Sequence, residues 1–380
     1  MRTVGLFAGI GGLELGLSKA GHDCLLFSEV WPLAAHVLAA RFPEIPNIGD
    51  IASLRRLPGG AELVAAGFPC QDLSQAGRTA GIEGRKSGLV GHVFRLLDAD
   101  RAPFVLLENV SFMLRLDGGR AMARLVAAFE ERGYLWAYRV VDTLAFLPQR
   151  RQRVLFLASR TGDPADILLE DEAAPAPRAT ALATHAHGFY WTEGVRGLGW
   201  APDAVPTLKN GSTLGIASPP AILLPGGAVV TPDICDAERL QGFPAGWTEP
   251  AESLARPSWR WSLVGNAVSV PVARWAGERL ARPGRYDCAR DGAPLSADAR
   301  WPRAARFDGA VRRRVEISDF PVWTERAPLH LFLDHPGKPL SARASAGFLA
   351  RTERARLRFA PGFREAVAAH LSAMQAPAAP

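Results

Sequence analysis

The residues TVGLFAGIGGLELGLSKA (3–20) decide the fold, because an apolar run is followed at once by a glycine-rich turn and a helical pattern. We predict a buried strand over Thr3–Phe7 and a helix over Leu13–Ala20. The glycines of FAGIGG (7–12) let the backbone turn tightly and approach a ligand before the helix begins. Glu14 stands where the fingerprint G-x-G-x-x-G has its last glycine, so the turn alone indicates either a nucleotide-like cofactor or a plain turn.

Outward from this stretch, short apolar runs alternate with helical patterns as far as about residue 160. The predicted strands are Asp23–Ser28, Ala61–Gly67, Pro103–Leu107 and Val154–Ala158, and the predicted helices are Leu33–Arg41 and Arg120–Arg132. This alternation is typical of a parallel sheet with helices on its faces. We therefore predict an α/β, Rossmann-like domain over residues 1–160.

The sequence changes character after this domain. Residues 161–234 are rich in Pro, Gly and Thr with scattered aromatics, which predicts a smaller, loop-rich lobe. Helical patterns at Asp236–Gln241 and Val270–Leu280 indicate that residues 235–283 return to the first domain. Residues 284–380 then form a C-terminal extension whose role the sequence does not indicate.

Composition and charge limit the class of protein. With 48% hydrophobic and 22% charged residues among 380, the chain can bury a core and is neither disordered nor fibrous. A net charge of +6 suits a polyanionic partner. The four cysteines form no C-x-x-C pair, so we expect neither a disulfide framework nor a metal site. We find neither an export signal nor an apolar run of about 18 residues, and expect a cytoplasmic protein without a membrane span.

Two acidic residues follow predicted strand ends. Glu29 lies about 20 residues beyond the glycine turn, where a carboxylate can accept hydrogen bonds from ribose hydroxyls. NAD and S-adenosylmethionine both carry that ribose, so Glu29 does not choose between them. Asp50 is placed to hold an adenine amino group, or else to cap a turn.

The stretch GFPCQDLSQAG (67–77) follows an apolar strand directly, which places it at the carboxyl edge of the sheet beside the cofactor crevice. A lone cysteine is usually a buried, inert thiol. Cys70, however, lies in a polar loop bounded by glycines, which is a poor core segment and a good active-site loop. We therefore predict that Cys70 is a nucleophile.

Six strings in one order carry a resemblance to a known family. They are FAGIGG (7–12), GFPCQDLSQAG (67–77), ENV (108–110), PQRRQRV (148–154), RLQGFP (239–244) and VGNAV (264–268). This series resembles the motifs of the DNA cytosine-5 methyltransferases, and it covers most of residues 1–281. The resemblance implies an S-adenosylmethionine-dependent methyltransferase sheet, with residues 161–234 as the target-recognition region.

The resemblance also implies a mechanism. The Cys70 thiolate adds to carbon 6 of a flipped-out cytosine and makes carbon 5 nucleophilic. Glu108 meets N3 and the exocyclic amine, and must be protonated or share a proton when the base is bound. Arg151 and Arg153 resemble the arginines that hold the base carbonyl and nearby carboxylate and phosphate groups. Alternation along a strand QRRQRVLF (149–156) would put both arginines on one face.

The family's binding residues carry over to matching positions of this chain. The expected cofactor-binding residues are Phe7, Gly9, Ile10, Gly11, Glu29, Val30, Asp50, Ile51, Pro69, Leu89, Asn266 and Val268. The expected DNA-binding residues are Gln71, Ser74, Arg150, Thr207 and Leu208. An aromatic residue often follows the ribose-binding acid in this family, whereas here Val30 follows it and the aromatic is Trp31. Which of these two contacts the adenine is open at this point.

The resemblance implies double-stranded DNA as the partner. The chain starts at its cofactor motif, as does the compact bacterial type that protects DNA from a companion restriction endonuclease. An orphan enzyme without such an endonuclease would show the same features. We expect a monomer that associates with the nucleoid when bound to DNA.

Three alternatives are weighed against this interpretation. A tRNA cytosine-5 methyltransferase shares the chemistry, but its nucleophile loop usually lacks the wording GFPCQDLS and its recognition region is short. A non-catalytic DNA-binding relative tends to lose the nucleophile, the glutamate or the cofactor glycines, all of which are present here. A dehydrogenase is disfavoured because no glycine completes the dinucleotide fingerprint.

Overall fold

The computed structural model describes residues 1–68, 88–174, 181–193, 198–211, 217–296, 300–354 and 358–376. The chain divides into two compact units. The first unit comprises Met1–Asp142, Gln152–Ala174 and Val268–Val322. The second unit comprises Thr143–Arg151, Pro175–Ala267 and Trp323–Pro380. No helix in the described ranges is long and apolar enough to cross a membrane.

The regular elements are numbered along the chain. The described strands are β1 (Arg2–Leu6), β2 (Asp23–Ser28), β3 (Leu63–Gly67), β4 (Phe104–Val110), β5 (Leu135–Asp142), β6 (Gln149–Arg150), β7 (Gln152–Ser159), β8 (His187–Phe189), β9 (Ala201–Pro202), β10 (Val205–Pro206), β11 (Ala221–Leu223), β12 (Val229–Thr231), β13 (Asp291–Pro294), β14 (Ala304–Phe307), β15 (Arg312–Val315) and β16 (Lys338–Pro339). The described α-helices are α1 (Gly12–Lys19), α2 (Pro32–Arg41), α3 (Leu89–Asp100), α4 (Arg120–Glu130), α5 (Ala165–Leu168), α6 (Ile234–Leu240), α7 (Trp259–Asn266), α8 (Val270–Ala281), α9 (Leu329–Phe332), α10 (Ala342–Thr352) and α11 (Phe363–Gln375). The strands and helices predicted from the sequence are present with ends shifted by a few residues, except that the strand expected over residues 149–156 is divided into β6 and β7.

The first unit is built on a sheet in the order β13-β15-β14-β5-β7-β4-β3-β1-β2. Strands β2, β1, β3 and β4 are parallel, as predicted. The prediction of a parallel sheet is wrong for β7, β5 and the strands beyond them, which pair antiparallel. The cause is connection length: residues 143–151 separate β5 from β7, whereas a parallel crossover needs about a dozen residues or more.

Small residues let α1 and α8 of the first unit pack closely. A Cβ added to Gly16 would lie 2.5 Å from the Ala273 Cβ, and one added to Gly277 would lie 2.8 Å from the Ala20 Cβ. The His22 ring also hydrogen bonds to the Gly277 carbonyl at 2.8 Å through Nε2. Residues near position 275 therefore close back on the first helix of the chain.

The core of the first unit is rich in aromatic rings. Phe156 of β7 packs against Phe129 and Trp136, with ring centroids 5.2 and 5.9 Å apart. Trp136 in turn stacks on Phe307 of β14 at 6.2 Å. The strands supplied by residues 291–315 thus share the core of the sheet that they extend.

The second unit has a five-stranded sheet in the order β16-β12-β11-β8-β9 and a separate parallel pair, β6 and β10. Phe189 of β8 is buried against Phe348 of α10 and Phe363 of α11, with ring centroids 4.3 and 5.4 Å away. His370 adds hydrogen bonds from α11 to the Leu340 carbonyl and the Val229 N–H. The last part of the chain therefore completes this core.

The units divide the chain differently from the ranges predicted by sequence. Residues 235–267 belong to the second unit, whereas their return to the first domain was predicted. The extension 284–380 is shared, because residues up to 322 join the first unit and those from 323 join the second. A helical pattern shows which face of a segment is buried, and not which core it is buried against.

Candidate active site

The carboxyl ends of the parallel strands bring the candidate site together. β1 leads into the glycine turn, β2 leads into Glu29, and Glu108 lies near the end of β4. In the register of β3 and β4, Gly67 is paired with Glu108. Cys70 follows three residues after Gly67, and it lies outside the described residues, as do Pro69, Gln71 and Ser74.

The glycine turn has the strained backbone that glycine accommodates. Gly9 and Gly11 have φ angles of 57° and 82°, and Phe7 also has a positive φ of 56°. A Cβ on Gly11 would lie 2.6 Å from the Phe42 ring, so a side chain does not fit there. A Cβ on Gly9 would meet no described atom within 4 Å, which leaves open space above this part of the turn. The turn can therefore receive a ligand at Gly9.

The Glu29 carboxylate ties the ends of β1 and β2 together. It accepts hydrogen bonds from the Gly9 N–H and the Trp31 N–H, both at 2.7 Å. Asn47 fixes the Glu29 backbone, accepting from its N–H and donating to its carbonyl at 3.0 Å. A carboxylate has about four lone-pair positions, so Glu29 retains the capacity to accept hydrogen bonds from ribose hydroxyls.

The other predicted cofactor-binding residues differ in how far their side chains are exposed to solvent. Val30 is 65% exposed, whereas Trp31 is half-buried at the start of α2. Asp50 is exposed and caps the short 3-10 helix Ile51–Ser53 by accepting from the Ala52 N–H at 2.8 Å. The Ile10 and Ile51 side chains are buried. Any contact of a cofactor with Ile10 or Ile51 would therefore involve the backbone of these residues and not their side chains.

Two further predicted cofactor residues lie in the first unit and one in the second. Leu89 is half-buried at the first position of α3. A Cγ atom of Val268 lies 3.3 Å from where a Cβ on Gly67 would be, which puts Val268 beside the end of β3. Asn266 is the exposed last residue of α7 and belongs to the second unit.

Glu108 and Arg153 form a partly buried ion pair on neighbouring strands. The Arg153 Nε lies 3.2 Å from Glu108 Oε1, and the register pairs Arg153 with Val110. Glu108 is 8% exposed, and its Oε2 lies 3.9 Å from a Cβ position on Gly67. The carboxyl group is thus oriented by a guanidinium and directed toward the end of β3.

Asn109 was not assigned a role from the sequence, although it is the middle residue of the ENV string. Its buried side-chain amide donates to the Phe68 carbonyl at 2.9 Å and its Oδ1 accepts from the Val110 N–H. Because Phe68 immediately precedes the segment that contains Cys70, Asn109 fixes the point from which that segment starts.

Arg151 does not share a strand face with Arg153, so that prediction is wrong. The expected continuous strand is interrupted at Arg151, between β6 and β7, and the two arginines belong to different units. Arg151 is 2% exposed and donates to the carbonyls of Leu208, Gly265 and Ala267 at 3.0, 3.2 and 2.7 Å. The break occurs because a buried guanidinium must satisfy its donors, and backbone carbonyls of the second unit supply the acceptors.

The predicted DNA contacts in the second unit are only partly accessible. Arg150 donates to the Trp200 carbonyl at 3.2 Å, and the Thr207 hydroxyl donates to the Arg150 carbonyl at 2.8 Å. The Leu208 side chain is buried in the apolar core of this unit. This side chain therefore contributes to packing, and the contact of Leu208 with DNA stays a prediction.

Glu14 is an acidic residue that sequence reasoning noted only as a missing glycine. Its carboxyl is buried beneath β1, where neither oxygen accepts a hydrogen bond from another described residue. Burial raises the pKa of this carboxyl from 4.5 to about 8, and the charge of Glu29 adds to the effect. A Cβ on Gly5 would lie 2.4 Å from Glu14 Oε1, so Gly5 makes room for it.

No group of three or more His, Cys, Asp or Glu residues in the described ranges is placed to hold a metal ion. Cys24, Cys235 and Cys288, the cysteines that lie in those ranges, are free thiols.

Comparisons with known proteins extend beyond these residues. The chain matches the family model of C-5 cytosine-specific DNA methylases over residues 1–187. It is 48% identical to the Type II methyltransferase M2.BsuMI of Bacillus subtilis (strain 168), with 93% of this chain and 94% of that protein covered. It is 27% identical to M.DsaV of Dactylococcopsis salina, with 74% of this chain and 86% of that protein covered. It is also 35% identical to M.BanI of Aneurinibacillus aneurinilyticus, with 41% of this chain and 38% of that protein covered. The similarity to the first of these relatives includes both units.

Proposed function

Because the chain belongs to the C-5 cytosine-specific DNA methylases and is a DNA cytosine-5 methyltransferase, we propose that it acts by covalent catalysis through Cys70. The substrate is a cytosine flipped out of a specific double-stranded sequence. One observation carries this proposal: Glu108 is paired, in the register of β3 and β4, with Gly67. Gly67 precedes Cys70 by three residues in the sequence. The acid Glu108 is thus next to the strand end from which the chain continues toward Cys70.

Carbon 5 of cytosine is a weak nucleophile until carbon 6 is attacked. A bond forms between the Cys70 sulfur and carbon 6, and the electron pair of the 5,6 double bond becomes available at carbon 5. Glu108 carries a proton when the base is bound, so it donates a hydrogen bond to N3 and accepts one from the exocyclic amine, which stabilises the negative charge that arrives on the ring. After the methyl group has been transferred to carbon 5, the carbon 5 proton passes to solvent, its electron pair re-forms the 5,6 double bond, and the sulfur leaves carbon 6 as thiolate.

Arg153 supports this step through Glu108. Its Nε lies 3.2 Å from the carboxylate, and both side chains are largely buried. The pair fixes the orientation of the carboxyl group before the base enters, and a guanidinium is also suited to a base carbonyl. We assign Arg153 to this position and not Arg151, whose donors face backbone carbonyls.

The residues of the glycine turn fit S-adenosylmethionine. Gly9 leaves open space, and the anchored Glu29 carboxylate retains lone pairs for ribose hydroxyls. When bound, S-adenosylmethionine supplies an electrophilic methyl group and leaves as S-adenosylhomocysteine. We propose that Phe7, Gly9, Gly11, Glu29 and Val30 hold it, with the exposed Val30 at the adenine.

We further propose that the second unit reads the DNA sequence. The predicted recognition region 161–234 lies largely within it, and residues from 323 onward complete its core. Relatives of this chain are named Type II methyltransferases, which supports a role beside a companion restriction endonuclease. We expect the enzyme to act as a monomer on duplex DNA.

The test is trapping of the covalent adduct. Wild-type protein should form a denaturation-resistant complex with duplex DNA that contains 5-fluorocytosine, because fluorine at carbon 5 blocks proton loss. Cys70→Ser should form no complex while binding S-adenosylhomocysteine as the wild type does. Cys288→Ser, at an exposed cysteine, is the matched control and should form the complex. Trapping by Cys70→Ser would contradict the mechanism, and transfer of tritiated methyl groups mainly into tRNA would contradict the substrate.

A further inference from the structure

Two buried side chains in the second unit converge on one short segment. The Gln149 side chain accepts a hydrogen bond from the Leu208 N–H at 3.0 Å. Its amide nitrogen donates to the Leu240 carbonyl at 2.7 Å and to the Gln241 side chain at 3.1 Å. Arg151 donates to the Leu208 carbonyl at 3.0 Å. Both backbone groups of Leu208 are therefore bonded by side chains from residues 149–151.

Arg151 and Gln241 also form hydrogen bonds with the C-terminal end of α7. Arg151 also donates to the Gly265 and Ala267 carbonyls, at 3.2 and 2.7 Å. The Gln241 amide donates to the Val264 carbonyl at 2.9 Å. Carbonyls at a helix C-terminus have no partner within the helix. Arg151 thus satisfies two carbonyls at this helix end, and Gln241 adds a second hydrogen bond to the Val264 carbonyl, which also accepts from the Ala267 N–H.

Direct backbone contact accompanies these hydrogen bonds. A Cβ added to Gly265 would lie 2.1 Å from the carbonyl carbon of Lys209, so only glycine fits at this position of α7. The Ser262 hydroxyl also donates to the Asn210 carbonyl. Residues 207–210 are thus held along the last turns of α7 from both sides.

The side chains that make this network are removed from solvent. Gln149 and Gln241 are fully buried, and Arg151 is 2% exposed. In this arrangement they present no surface to DNA. Leaving a buried donor or acceptor without a partner is costly, so each partner is strongly held in place.

We propose that Gln149, Arg151 and Gln241 are positioning residues for sequence recognition, which hold residues 207–210 against α7 without touching DNA. This inference rests on the proposed function, because Thr207 is the expected DNA contact in that segment. It assigns Arg151 a role other than binding a phosphate or the base. Specificity then depends on residues that never reach the groove.

The experiment compares three variants on two duplexes. The specific duplex is first identified by bisulfite mapping of DNA from cells that express the wild type, and the second duplex carries one altered base pair in that site. Dissociation constants for both are measured with S-adenosylhomocysteine present, over a range of KCl concentrations. The variants are Gln149→Met, Arg151→Lys and Gln152→Met. Gln152 is the matched control, because its side chain donates to Asp319 and lies outside the network.

Gln149→Met and Arg151→Lys should each lower the ratio of specific to altered-site affinity by about tenfold or more, equal to about 1.4 kcal/mol. The salt slope should not change, because no phosphate contact is removed. Binding of S-adenosylhomocysteine without DNA should stay within about threefold. Gln152→Met should behave as the wild type.

A phosphate-binding role for Arg151 makes the opposite prediction. Lysine retains the charge, so Arg151→Lys would then keep the specificity ratio within about twofold, and that result overturns the inference. If Gln149→Met does not fold, Gln241→Met removes two of the hydrogen bonds and tests the same point. Absence of cytosine methylation by the wild type would instead reject the proposed function, which separates the two failures.

Discussion

Replacing Glu14 by Gln should stabilise the first unit increasingly as the pH rises. In the folded chain, burial raises the pKa of this carboxyl to about 8, whereas its ordinary value is 4.5. Between these values the folded state keeps a proton that the unfolded state has released. Stability is therefore fully present below about pH 4.5, falls through this window and levels off above about pH 8.

The magnitude follows from the gap between the two pKa values. At about 1.4 kcal/mol for each pKa unit, ionisation of Glu14 lowers stability by on the order of 5 kcal/mol at pH 8 and above. Glutamine has nearly the same shape and stays neutral, so Glu14→Gln removes the pH-dependent part. The difference between variant and wild type should grow by about 3 kcal/mol between pH 5.5 and pH 8.

Urea unfolding measures this difference, with hydrogen exchange of β1 and α1 amides reporting on the first unit. Wild type, Glu14→Gln and the control Glu44→Gln are compared at several pH values, because Glu44 is exposed. The control should follow the wild type throughout. An unchanged pH slope in Glu14→Gln would refute the reasoning, since it would mean that this carboxyl ionises as readily in the folded chain as in the unfolded one.

The remaining predictions concern packing and DNA binding. Gly16→Ala should lower the free energy of unfolding of the first unit, measured by urea denaturation, by about 1–3 kcal/mol through overpacking against α8. Gly162→Ala, in open space, should change it little. Phe363→Ala should cost the second unit about 3–5 kcal/mol and weaken DNA binding, with S-adenosylhomocysteine binding retained in calorimetry. A duplex with an abasic target should bind more tightly than the paired duplex, because flipping then breaks no base pair; weaker binding in a filter assay would count against flipping.

Local sequence patterns predicted the first half of the sheet well. Each of β1 to β4 is a run of apolar residues bounded by turn residues, and such runs report burial on both faces of a parallel sheet. The position of Glu29 after β2 was also predicted, because this residue follows the apolar run directly in the sequence. Both the strands and the position of Glu29 depend on residues that are close together in the sequence. They can therefore be predicted from one sequence.

The sequence did not reveal contacts between residues that are far apart along the chain. Arg151 was expected to face the base, but its partners lie near residues 208 and 265, far away in sequence. Leu208 was expected at the DNA, whereas the core of the second unit takes its side chain. Gln149 and Gln241 were not assigned a role from the sequence, because their burial depends on distant residues. A buried polar side chain indicates a hydrogen-bond network.

The order in which the chain visits its two units bears on its synthesis. The chain enters the second unit at residue 143, leaves it, re-enters at 175, and returns a last time from residue 323. Phe348 and Phe363, which fill the core around Phe189, therefore leave the ribosome more than a hundred residues after it. Contacts so distant in sequence form late and slowly. A nascent chain can thus fold much of the nine-stranded sheet early, yet the core of the second unit is complete only after Phe363 has been synthesised.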